Sequence, residues 1–88
     1  ACADGCSDET RIGVLLRVAE QELLAFDIAG AMGHTAEAMD IAHRTGRRVD
    51  EARARANYAL ALDAAGIFAQ ADAHWRRVHD SIAAAAAR

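Results

Sequence analysis

Alanine fills 24 of the 88 positions and proline fills none, which limits the fold more than any other feature of the chain. Alanine loses no side-chain entropy in a helix, whereas proline removes a backbone donor and breaks it. Only four residues are aromatic, and strand-forming residues are sparse, so an all-β fold is excluded. A chain of this length forms one domain. We therefore predict an all-α domain over residues 8–88, after a flexible leader over residues 1–7.

The spacing of apolar residues predicts a long first helix, from about Asp8 to Met32. One apolar stripe contains Ile12 and Leu16, and a second contains Val14 and Val18. A helix with two apolar stripes is packed on two sides.

Glycines mark the expected ends of the helices. The sequence predicts a break at Gly33, a second helix over about 36–45, a third over about 50–65 and a fourth from Phe68. Short turns make neighbouring helices antiparallel, which gives two stacked hairpins, about 8–45 and 50–87. A simple four-helix bundle is the alternative. We expect the largest core residues to be Phe26, Phe68 and Trp75.

The segment that starts at Gly33 aligns with the segment that starts at Gly66, at an offset of 33 residues. The second copy carries Tyr58-Ala59, Leu62, Gly66-Ile67-Phe68, Ala71, Trp75 and Val78. This pattern resembles the tetratricopeptide repeat, a helix–turn–helix unit of about 34 residues. Both copies depart from the family pattern, because Glu22 and Arg55 stand where an aromatic is expected and neither copy ends in Pro.

The resemblance implies a non-catalytic protein–protein interaction module, because such repeats stack into a surface that holds a peptide or a partner subunit. The implied binding residues lie on helices one and three: Glu20, Leu24, Asp27, Arg53, Asn57 and Leu60. Two repeats are fewer than the usual three, so self-association is a further option.

A second hypothesis is a small helix-turn-helix DNA-binding domain of a transcriptional regulator. In residues 41–53 an Ala is followed four residues later by Gly46, a short turn and a new helix start. The residues that would contact DNA are Arg47, Arg48, Arg53 and Arg55. Asp50 and Glu51 at the same helix start would repel phosphate, which disfavours nucleic acid as a partner.

Other classes of function find no support in the sequence. The four histidines and two cysteines form no zinc-ligand or di-iron spacing, and no nucleophile motif or phosphate loop is present, so we expect no catalytic residues, no metal and no cofactor. No apolar run could span a membrane and no signal peptide is visible, so we expect a cytoplasmic protein. The chain begins with Ala, which indicates a processed chain or a fragment. The redox state of Cys2 and Cys6 stays open.

Overall fold

A computed structural model describes residues 7–87, which form four helices and no strand. The helices are α1 (Asp8–Leu24), α2 (Ile28–Arg44), α3 (Arg48–Ala64) and α4 (Phe68–Ala86). Three-residue turns join them. The predicted all-α, four-helix class is confirmed. Residues 1–6 of the predicted leader, which include Cys2 and Cys6, lie outside the described residues.

Two caps and three left-handed residues set the ends of the helices. The side chain of Ser7 accepts a hydrogen bond from the Thr10 N–H and begins α1, and Asp27 does the same for Gly30 at the start of α2. Gly46 and Gly66 end α2 and α3 in the left-handed region, with φ of 70° and 78°.

Phe26 occupies the equivalent place in the α1–α2 turn, with φ of 58°. A residue with a Cβ is strained in this conformation by about 1–2 kcal/mol, because its Cβ crowds the following carbonyl oxygen. The expectation that helix one reaches Met32 was wrong, because α1 ends at Leu24. The sequence did not indicate this turn, because no glycine occupies it. Helix two accordingly begins at Ile28 rather than near Ala36, and Gly33 lies inside it.

The helices stand in an open row. Each helix packs against its neighbour in sequence, α1 also contacts α3, and within residues 7–87 α4 contacts neither α1 nor α2. The molecule is accordingly flat, with extents of 36 × 36 × 17 Å. A closed four-helix bundle would bring α4 against α1, so the described arrangement is not of that kind. The contact between α1 and α3 puts these two helices on a shared side.

The core is built mainly from alanine. Eight of the thirteen buried apolar residues are Ala, and the central cluster joins α1, α2 and α3 through Ile12, Leu16, Ala38, Ile41, Ala42 and Ala54. The expectation that the large aromatics form the core was wrong for two of them. Phe26 is 83% exposed and Phe68 is 67% exposed, because both stand at turns, while Trp75 is half-buried. The second stripe of α1, with Val14 and Val18, is also open rather than packed.

Helix starts recur every twenty residues, so one hairpin follows the other at an interval of forty. Buried positions recur at the same interval, in the pairs Ala19 and Ala59, Ala31 and Ala71, and Ala38 and Val78. The offset of 33 residues taken from the sequence is therefore not the structural interval. It paired Gly33, in the interior of α2, with Gly66, in a turn.

Two glycine substitutions test these helix boundaries. Gly33→Ala should raise the free energy of unfolding by about 0.5–1 kcal/mol, because Gly33 lies in a helix and a Cβ there meets no other atom within 4 Å. Gly46→Ala should lower it by about 1 kcal/mol, because alanine is strained at positive φ. Urea denaturation measures both. A loss of stability in Gly33→Ala would contradict the helical placement of this residue.

Candidate functional site

The side shared by α1 and α3 carries a shallow open depression of about 320 Å³. Gly13, Val14 and Arg17 line it from α1, and Asp50 and Arg53 line it from α3. The sequence hypothesis placed Arg53 on this surface but missed Val14 and Arg17. The sequence predicted that Val14 belongs to a packed stripe. That this stripe is exposed could not be predicted without the positions of the other helices.

The three binding residues predicted on α3 follow one another along that helix at spacings of four and three residues. Arg53 is exposed and lies 3.7 Å from Asp50. Asn57 is half-buried and forms no side-chain hydrogen bond to another of the described residues. Leu60 is 47% exposed. Spacings of three and four put these side chains on one face.

The three residues predicted on helix one are divided between two elements. Glu20 and Leu24 lie on α1, and both are exposed, Leu24 to 76%. Asp27 does not belong to α1, because the helix has ended at Leu24. Its carboxylate accepts a hydrogen bond from the Gly30 N–H at 3.1 Å and begins α2. We therefore correct its placement: Asp27 is a capping residue in the turn.

A hydrogen bond between His34 and Glu22 joins α1 to α2. The imidazole Nδ1 of His34 lies 2.6 Å from the Glu22 carboxylate. The hydrogen bond to Glu22 raises the pKa of His34 above its usual value, and burial opposes this in part. Gly30 faces the same group, because a Cβ there would collide with the Glu22 carboxylate.

A different polar contact joins α3 to α4. Arg55 Nη1 lies 2.8 Å from His74 Nδ1, and its Nη2 donates to Glu51 at 3.3 Å. A guanidinium has donors only, so the Nδ1 of His74 must accept, and the imidazole is neutral. Burial, and then the charges of Arg55 and Arg77, lower the pKa of His74. Tyr58 packs edge-on against the same imidazole, with ring centroids 5.0 Å apart.

A second contact between these two helices involves Trp75. Its indole N–H donates to the Asp63 carboxylate at 3.0 Å. Each hairpin is thus held by polar side chains in addition to its apolar contacts, and the sequence analysis predicted none of these pairs. His34, Glu22, His74 and Arg55 lie far apart in sequence and carry no recognisable spacing.

Three of the four arginines of the DNA-binding hypothesis, Arg47, Arg53 and Arg55, lie near acidic side chains of the chain itself. Arg47 lies near Glu9 and Asp50, at 3.8 and 3.5 Å. Arg55 is only 9% exposed and is held by His74 and Glu51. Arg48 and Arg53 are exposed. In addition, α2 contacts α3 as extensively as it contacts α1, whereas helices that cross at a wide angle touch mainly near their turn.

Among residues 7–87, no three His, Cys, Asp or Glu side chains are grouped so that they could hold a metal ion. No helix in the same range is long and apolar enough to cross a membrane.

Comparisons with protein-family models, with curated proteins and with solved structures found no match to this chain.

The two histidine contacts predict opposite effects of pH on stability. Because the pKa of folded His34 is raised, its contribution is present below about pH 6.5 and is lost as the pH rises through the raised pKa. Because the pKa of folded His74 is lowered, its contribution is present above about pH 6.5 and is lost as the pH falls towards the lowered pKa.

Variants separate the two effects. We expect His74→Gln to gain thermal stability relative to the wild type on acidification from about pH 8 to about pH 5.5, and His34→Gln to lose it. NMR titration of the imidazole protons measures each midpoint directly. A midpoint for His74 above that for His34 would contradict the assignment.

Proposed function

We propose that this chain is a non-catalytic protein–protein interaction module of the helical-repeat type, which binds a peptide or a partner subunit on the shared side of α1 and α3. The observation that supports this most is the contact pattern: α1 touches α3, while α2 does not touch α4 within the described residues. A row of hairpins with this pattern presents its leading helices together on one side. The resemblance to tetratricopeptide repeats enters this proposal as stacked helical hairpins only, because the hairpins recur at forty residues rather than at about 34.

The chemistry of this side suits a protein partner. Exposed Leu24 and Leu60 offer apolar contacts, and exposed Glu20 and Arg53 offer charges of both signs. Asn57 can both donate to and accept from a peptide backbone. Mixed surfaces with a few apolar anchors are typical of interaction sites, where a small number of residues supplies most of the binding energy.

DNA binding receives less support. Arg55 holds α3 to α4, so it would have to leave His74 and Glu51 to reach a phosphate. The acids beside Arg47 and Arg53 reduce the positive charge that nucleic-acid binding needs. We therefore do not propose DNA as the partner.

Site-directed photo-crosslinking tests the proposed face. Benzoylphenylalanine at position 60 on α3 should form light-dependent adducts with the partner in an extract of the source cells. The same group at position 40, where Asp40 is exposed on α2, should not. Adducts of equal yield from both positions would contradict the assignment of the face.

Two alanine substitutions, Arg53→Ala and Asn57→Ala, test whether these residues contact the partner. Both should lower the yield of adducts from position 60, because they remove polar contacts to the partner. Both should change the free energy of unfolding by less than about 0.5 kcal/mol, since Arg53 is exposed and Asn57 has no side-chain hydrogen bond among the described residues. Thermal denaturation is the control. An unchanged yield in both variants would reject these residues as contacts.

A further inference from the structure

Four of the nine exposed large apolar residues lie in or next to two turns at the same end of the row of helices. Three-residue turns make successive helices antiparallel, so the α1–α2 turn and the α3–α4 turn lie at the same end. The exposed apolar residues there are Leu24 (76%), Phe26 (83%), Ile67 (39%) and Phe68 (67%). We call these four residues the turn patch. It contains both phenylalanines of the chain.

Phe26 is unfavourable to the fold in two ways. Its backbone is held at positive φ, and its ring is almost fully exposed to water. Gly46 and Gly66, at the same place in the other two turns, show that this type of turn forms well with glycine. The phenyl ring therefore does not stabilise the fold. Strained residues of this kind are concentrated at functional sites, so the strained backbone of Phe26 indicates a function for this position.

The charge around the turn patch has one sign. Residues 18–34 and 56–75, which form this end of both hairpins, contain five acids and no arginine or lysine. Glu20, one turn before Leu24, is exposed and forms no ion pair with another of the described residues. The arginines instead lie towards the opposite end, for example Arg47 and Arg48 in and after the α2–α3 turn. Glu22 is bonded to His34 and Asp72 is paired with Arg76, whereas Asp27 and Asp63, like Glu20, form no ion pair with another of the described residues. An apolar patch beside such acids favours a partner that is both apolar and basic.

We propose that the turn patch binds a basic amphipathic helix of a partner protein. The apolar side of that helix would contact Phe26 and Phe68, and its lysines or arginines would face Glu20. A helix is favoured over an extended segment because residues 7–87 contain no strand edge to which a peptide backbone could bond. This inference rests on the proposed function, since Glu20 and Leu24 also belong to the face of α1 and α3. It adds the location of the apolar anchors and the charge of the partner.

Two synthetic peptides test the charge of the partner. One is an 18-residue helix of leucine and lysine with all leucines on one face, and the other has glutamate in place of every lysine. Isothermal titration calorimetry on the full chain should detect binding of the lysine peptide only, and that binding should weaken as salt is added. Equal binding of both peptides, or binding of neither, would overturn the proposal.

Phe26→Gly tests the anchor. We expect it to weaken binding of the lysine peptide at least about tenfold, as truncation of a central aromatic anchor does. Its melting temperature should be unchanged or higher, because glycine relieves the strain at positive φ. Val49→Ala is the matched control: Val49 is 74% exposed near the α2–α3 turn, at the opposite end of the row, and should leave the affinity unchanged.

Three outcomes of these variants would overturn the assignment. Unchanged affinity in Phe26→Gly would mean that the ring is not an anchor, and a lower melting temperature would mean that it supports the fold. Light scattering gives the third: if the wild type is a dimer and Phe26→Gly is a monomer, a second copy occupies the patch. Crosslinking at position 60 keeps the two proposals separate. Adducts there without binding of the lysine peptide would reject the partner chemistry alone, and absence of adducts would reject the module.

Discussion

Close contact between helices through alanine is the constraint on which the rest of this structure depends. Alanine supplies most of the buried apolar residues, and a methyl side chain lets neighbouring backbones approach closely while burying little apolar area per residue. A core of this kind cannot fix the relative positions of its helices by interlocking large side chains. Ile12, Leu16, Ile41 and Leu62 are buried, while Phe26, Phe68 and Leu24 stand exposed at the surface.

Polar side chains supply the specificity that such a core lacks. Glu22 and His34 hold α1 to α2, and Arg55 and His74 hold α3 to α4. Each pair joins the two helices of one hairpin at a defined position along their axes. In other helical assemblies a buried polar pair fixes the register of the helices in the same way. The two pairs place opposite demands on histidine, because one is strongest with the imidazole charged and the other requires it neutral.

The sequence predicted the fold class well and the boundaries of the first hairpin poorly. Composition was sufficient for the all-α class, and Gly46 and Gly66 located two of the three turns. The first turn was missed because Phe26 adopts a conformation usually reserved for glycine, while Gly33 lies in a helix interior. On the candidate site, spacing placed Arg53, Asn57 and Leu60 on one face of α3. It did not show that Asp27 caps α2, because the first turn was misplaced. It could not show that Arg17 of α1 lines the same depression as Arg53 of α3, because that relation depends on how separate helices pack.

The twenty-residue recurrence of helix starts has a consequence for how such a protein can change in size. Within residues 7–87, and with the exception of α1 and α3, each helix packs only against the helices next to it in the chain. A forty-residue unit inserted in the α3–α4 turn would thus disturb only the interface of α3 with α4, and the contacts among α1, α2 and α3 would survive the insertion. The architecture tolerates growth or shrinkage by whole hairpins, and the length of the row can be varied independently of the geometry within each unit.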